Sequence, residues 1–286
     1  MVDGGTRVGP RGQLVIIGGA ESRNDHLDGI LRRFVELCGG PHADIAVLAT
    51  ASAAHPEELE AEYIGVFTRL GATKAHAVPV RSRADANSSA VVEALSCCTG
   101  VFFTGGDQRR IATMIGGSEL DSVLHKRVEA GEVVLAGTSA GAAMMSATMV
   151  LGGTESGVTT AAVQTGPGLE FLPGVLIDMH FAERGRLNRL LSAIAMFPHE
   201  LGVGIDEDTA IIVDRTCFEV IGSGSVTIID AGKAAMIRTP TAGDGAIALS
   251  GVQLHVLPTG HRFELVDRQP VVLAAPHDTQ DWGSSA

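Results

Sequence analysis

The sequence predicts an α/β fold: a mostly parallel, doubly wound sheet with helices on both faces, followed by an antiparallel β extension at the C-terminal end. Three observations carry this expectation. Strand-like and helix-like stretches alternate through the first half of the 286 residues, the pattern of parallel strands joined by crossover helices. Strand-like runs end in small-residue turns at Gly18-Gly19, Gly105-Gly106 and 137–141, and sheets of this kind bind ligands at the carboxyl ends of their strands. After residue 200 the texture changes to short apolar runs separated by glycine and proline.

Taken in order, residues 13–17 are a short β-branched strand ending at Gly18-Gly19, and 27–38 follow with apolar residues at helical spacing. Residues 45–49 are a second strand, and 57–70 an amphipathic helix carrying Leu59, Ile64, Phe67 and Leu70. Strands at 76–80 and 101–103 enclose a helix at 90–95, and 120–130 are helical. The run Val133-Val134-Leu135-Ala136 then enters the turn Gly137-Thr138-Ser139-Ala140-Gly141, and Ala142, Ala143, Met144 and Met145 read as a buried helix behind it. A strand at 174–179 precedes His180, and a helix starting near Glu183 bears an apolar face of Leu187, Leu190, Leu191 and Ile194. Residues 210–213, 218–221, 226–229, 246–249 and 253–257 supply the antiparallel strands. No linker or repeat divides the chain, so residues 1–275 are expected to form one domain, with 276–286 a disordered tail.

Composition narrows the function. No apolar run approaches the length of a membrane span, and residues 1–7 lack the cationic and apolar regions of a secretory signal, so a cytoplasmic protein is expected. Cys38, Cys97, Cys98 and Cys217 show no metal spacing and read as reduced thiols. A formal charge of −12 opposes nucleic-acid binding.

The turn at 137–141 fits the GxSxG nucleophile elbow, in which a serine tips a strained strand-to-helix turn and small neighbours admit backbone and substrate. A Gly-rich turn without chemistry has the same composition. Serine catalysis needs a base, a group to orient it and oxyanion donors. His180 sits at a strand's carboxyl end, as a base or as a helix-start residue. Asp206, Glu207 and Asp208 also follow a strand, where one of them could orient His180 and solvated turn acids would look the same. Gly105-Gly106 could offer an N–H beside that of Ala140 to an oxyanion. Arg184, Arg186 and Arg189 cluster behind His180, either as a solvated face or for carboxylate recognition. From a different class, Gly18-Gly19-Ala20-Glu21 could be a nucleotide-binding turn, although it has neither GxGxxG spacing nor a Walker lysine.

Together, GTSAGA at 137–142, FTGGDQ at 103–108, DMHFAERGRLNRL at 178–190 and GIDEDTA at 204–210 resemble the cyanophycinase family of S51 serine peptidases, which includes the aspartyl dipeptidase peptidase E. The resemblance implies a sheet like that of class I glutamine amidotransferases, with serine in place of their cysteine. It implies Ser139 as nucleophile, His180 as base and Glu207 as its orienting carboxylate, with Gly106 and Ala140 as oxyanion donors. Gln108, Asp178, Arg184, Arg186 and Arg189 match the family's substrate pocket, Asp178 facing a guanidinium. The implied substrate is cyanophycin, a poly-aspartate with arginine on each β-carboxyl, cleaved from its C-terminal end to β-Asp-Arg. A homodimer is implied, and neither metal nor organic cofactor. Met179 stands where the family shows glutamine, and methionine cannot replace two amide hydrogen bonds. The alternative substrate is therefore another aspartyl dipeptide or isopeptide.

Overall fold

The computed structural model describes residues 12–21, 29–153, 157–240 and 245–271. The tail expected at 276–286 lies outside them. A nine-stranded sheet runs in the order Gln269–Val271, Arg262–Glu264, Cys217–Gly222, Thr209–Asp214, Leu14–Ile17, Val134–Thr138, Gly100–Phe103, Asp44–Leu48, Lys74–Ala77. The five strands from Leu14–Ile17 to Lys74–Ala77 are parallel, and the other four add antiparallel.

Leu14–Ile17 shows why this works. Leu14 and Ile16 enter one core while Val15 and Ile17 enter the other, so a run of four apolar residues is buried on both faces. On the second face, Gly29–Leu37 and Pro56–Arg69 bring Phe34, Tyr63 and Phe67 onto Phe102, with ring centroids 4.6–6.0 Å apart. Each such burial stabilises the fold by roughly 1.5–3 kcal/mol. On the first face lie Gln108–Ile115 and Glu119–Ala130, started by the side-chain caps Asp107 and Ser118.

A second sheet completes that first face. Its order is Gln253–Pro258, Ser225–Asp230, Leu201–Ile205, Val175–Met179. The last two strands are parallel, with Met179 opposite Ile205. Ile177, Val203, Ile205 and Val226 share a core with Ile16, Ile211 and Val220 of the large sheet. The antiparallel extension is thus divided: Thr209–Asp214 and Cys217–Gly222 widen the large sheet, and Ser225–Asp230 joins the second.

Several local expectations need correction. The 246–249 strand is Ala248–Ser250, paired among the described residues with Met236–Arg238. The sequence reading lacks the helix Gln108–Ile115 and the hairpin Thr148–Gly152 with Gln164–Pro167. The helix expected near Glu183 starts at Leu187. Its buried face includes Arg189, Leu190, Ala193 and Ile194, while Leu187 is exposed.

Candidate active site

Ser139 follows the last residue of Val134–Thr138 and lies at φ 51°, ψ −109°, a conformation L residues seldom adopt. Such strain persists where neighbours over-determine it. Here Ser139 N donates to Ile17 O at 3.1 Å, and Ala142 N and Ala143 N both donate to Ser139 O at 3.0 Å. The flanking glycines are steric necessities. A Cβ on Gly137 would collide with the Gly141 carbonyl, and one on Gly141 would lie 2.8 Å from Phe103 Cβ.

The large sheet supplies the serine; the second sheet supplies its partners. Val175–Met179 ends at His180, and Leu201–Ile205 ends at Asp206 and Glu207. Ser139 Oγ is 2.9 Å from His180 Nε2, and His180 Nδ1 is 2.6 Å from Glu207 Oε1. A carboxylate only accepts, so Nδ1 carries the proton and Nε2 presents its lone pair to the Ser139 hydroxyl. That is the polarity of a base poised over a nucleophile.

The three acids after Ile205 separate by partners. Asp206 is buried, accepting from Ala182 N at 3.1 Å, Ser225 N at 3.1 Å and Ser225 Oγ at 2.8 Å. Asp208 N donates to Gly19 O at 2.9 Å. Glu207 alone of the three reaches the imidazole, and its own N–H donates to Glu183 Oε2 at 3.2 Å.

The segment 103–108 runs past the serine, placing a Cβ built on Gly105 3.5 Å from Ser139 Cβ. Gly106 is at φ 145°, and among the described residues no main-chain acceptor takes the N–H of Gly106 or Ala140. Gln108 Nε2 donates to Val150 O at 2.7 Å, which ties the following helix to the hairpin and leaves its Oε1 as an acceptor.

The arginine cluster corrects the sequence reading. Asp178 is fully buried and is held by its own chain: Arg189 Nε donates to Oδ2 at 2.9 Å, Arg189 Nη2 to Oδ1, and Arg186 Nη1 to Oδ1 at 3.4 Å. It therefore does not face a ligand guanidinium. Arg186 also donates to Met179 O, and both arginines are buried. Two guanidinium groups thus bond one carboxylate beside the strand that ends at His180. Arg184 is exposed in the turn before the helix.

With this geometry in view, the sequence matches the model of peptidase family S51 over residues 14–221. The chain belongs to peptidase family S51. It is 39% identical to a cyanophycinase from a Nostoc species, a match covering 92% of this chain and 88% of the relative. A cyanophycinase of Geminocystis herdmanii is 38% identical, covering 91% and 96%. The crystal structure of a peptidase from an acI-B1 Actinobacterium superposes with a TM-score of 0.65 at 21% identity, covering 91% of this chain and 98% of that one, and so shares the fold. S51 members are serine peptidases, and this chain is a peptidase of the cyanophycinase kind.

Other candidate sites on this S51 chain lie elsewhere. A cavity of 420 Å³ bounded by Asp121, His125 and Glu170 shares no lining residue with the Ser139 site. Among the described residues one group could hold a metal: Asp44, His76 and Cys98. Asp44 begins its strand, at the end of the sheet away from Ser139. Lys74 Nζ, 2.8 Å from Asp44 Oδ2, already supplies a counter-charge, and burial, with Asp44 next in weight, pushes the Cys98 thiol up to about 11. No helix among the described residues is long and apolar enough to cross a membrane. Sequence reasoning missed Asp206 as a brace and Glu21, Tyr63 and Thr138 as a buried network. Only Glu21 carried a signal, a carboxylate just behind a strand-ending double glycine.

Proposed function

We propose that this peptidase hydrolyses the poly-aspartate backbone of cyanophycin through an acyl-enzyme and releases β-Asp-Arg. The Ser139–His180–Glu207 hydrogen-bond chain is the observation that carries the reading. His180 Nε2 takes the hydroxyl proton as Ser139 Oγ attacks the carbonyl carbon, and Glu207 holds the ring and balances the imidazolium. The N–H groups of Gly106 and Ala140 receive the oxyanion. The imidazolium returns its proton to the leaving amine, and water, deprotonated by His180, then hydrolyses the ester.

The same proposal assigns substrate carboxylates to Arg184 and to the Arg186–Asp178–Arg189 cluster, with Gln108 Oε1 accepting from a substrate donor. A second reading keeps the chemistry and changes the substrate to another aspartyl dipeptide or isopeptide. Met179 favours it: the side chain is buried between Asp178 and His180 and offers no amide. One domain over 1–275 acting as a cytoplasmic homodimer completes the proposal, with light scattering as the check on assembly.

The test is to incubate the enzyme with insoluble cyanophycin beside Ser139→Ala and identify products by mass spectrometry. Clearing with β-Asp-Arg release by the wild type alone is expected. Clearing by both proteins sinks the nucleophile assignment. If neither clears the polymer but the wild type splits an aspartyl dipeptide, the second reading stands.

A further inference from the structure

The segment Gly18-Gly19-Ala20-Glu21, offered by the sequence as a nucleotide turn, is built into the floor of the Ser139 site. Ile17 O accepts from Ser139 N at 3.1 Å, Gly18 O from His180 N at 2.9 Å, and Gly19 O from Asp208 N at 2.9 Å. Gly19 also lies against the His180 ring, where a Cβ would come within 2.6 Å of Nε2. One short loop therefore touches the backbone of the serine and histidine and the residue after Glu207.

Glu21, the last described residue of this loop, is 5% exposed. Its Oε2 accepts from Thr138 Oγ1 at 2.5 Å, and its Oε1 accepts from the Tyr63 hydroxyl. Thr138 is the residue before Ser139 and pairs with Ile17 in the sheet. Tyr63 is fully buried on Pro56–Arg69, with its ring 4.6 Å from Phe102 and 6.0 Å from Phe67. A carboxylate accepts at both oxygens, so it fixes both hydroxyls as donors. Burying one is unfavourable unless its oxygens are bonded, and a buried charge is in itself weak evidence of stabilisation.

We propose that Glu21 is a positioning residue for the nucleophile: it clamps Thr138 to the rigid Tyr63 aromatic cluster and so holds the strained Ser139 turn in register with the loop beneath His180. The clamp closes a ring with the Ser139 N to Ile17 O bond. Loop and elbow then move together or not at all. A serine at φ 51° needs such over-determination, because relaxing the turn moves Oγ away from His180 Nε2. The inference rests on Ser139 being the nucleophile.

The test uses the full chain and a fluorophosphonate, which reacts with an activated serine without requiring the substrate. Thr138→Val removes the donor and keeps the shape. Labelling is expected to slow on the order of 10- to 100-fold, the scale of a sub-ångström to ångström misplacement. With a substrate found by the preceding test, kcat should fall by a similar factor at constant KM. Thr138→Ser keeps the hydroxyl and is expected to recover most of the rate. Glu21→Gln retains an acceptor and should lie between Glu21→Ala and wild type. Wild-type labelling rates in folded Thr138→Val and Glu21→Gln, whatever their melting temperatures, overturn the inference while leaving Ser139 as nucleophile. A wild type that labels no faster than Ser139→Ala overturns the nucleophile reading, and the inference falls with it.

Discussion

Gly19→Ala perturbs the placement of His180, the base of the proposed mechanism, without altering any group to which that mechanism gives a role. At Gly19, φ is +107°, and the Cβ direction points at the imidazole, 2.6 Å from Nε2 and 3.0 Å from Nδ1. The nearest ring atom, Cε1, would lie at 2.3 Å, and ordinary contact begins at 3.4 Å, so the ring must retreat or rotate by about 1.1 Å. The Ser139–His180 bond of 2.9 Å has no slack for that and leaves hydrogen-bonding range. A misplacement near 1 Å lowers rates by about 100-fold, and complete loss of a general base by roughly 10²–10⁴. The expected fall in kcat/KM is therefore about 100-fold or more, or roughly 2.7 kcal/mol of transition-state stabilisation. Stability falls separately by roughly 1–2 kcal/mol, because alanine is strained at positive φ. The assay is steady-state hydrolysis beside fluorophosphonate labelling, with urea unfolding to report the stability loss. Wild-type turnover in a folded Gly19→Ala protein would refute the reasoning, since the ring would then tolerate a methyl where the structure leaves no room.

Three further outcomes follow from the same geometry. Asp178→Asn removes the buried charge that Arg186 and Arg189 both bond and should destabilise the protein by about 3–5 kcal/mol, read as a lowered urea midpoint; an unchanged midpoint contradicts the buried cluster. Asp206→Asn turns an amide N–H toward either Ala182 N–H or the Ser225 donors, and a loss of about 1–3 kcal/mol is expected by thermal unfolding, with Asp206→Ala at least as damaging. Thiol alkylation of the native protein at neutral pH should modify exposed Cys97 and spare Cys98 and Cys38. Burial raises both protected thiols, Cys98 to about 11, and peptide mapping that finds Cys98 modified first would contradict this.

The legible part of the molecule was what short stretches dictate. GTSAGA requires small residues because the turn and Phe103 leave no room for side chains, and that requirement sits within five residues of the serine. His180 was recognisable by its place after an apolar strand. The depth of Arg186 and Arg189 was not legible, because helical spacing describes a face and not a depth. Nothing within 178–189 states that Asp178 will bond both Arg186 and Arg189 inside the fold. Glu21 and Thr138 are 117 positions apart with Tyr63 between them, and of the three only Glu21, behind its double glycine, carried a signal.

By itself the sequence determined the alternation of strands and helices, the serine turn and the strand ends that carry Ser139, His180 and Glu207. These follow from backbone sterics and hydrophobic periodicity, which act over a few residues. Only the tertiary structure decided that two separate sheets supply the site, that Glu207 rather than Asp206 or Asp208 reaches His180, and that the first glycine loop supports the serine. The separations of 41 residues from Ser139 to His180 and 27 from His180 to Glu207 are bridged by the packing of one sheet on the other, and a 2.6 Å hydrogen bond is set by that packing.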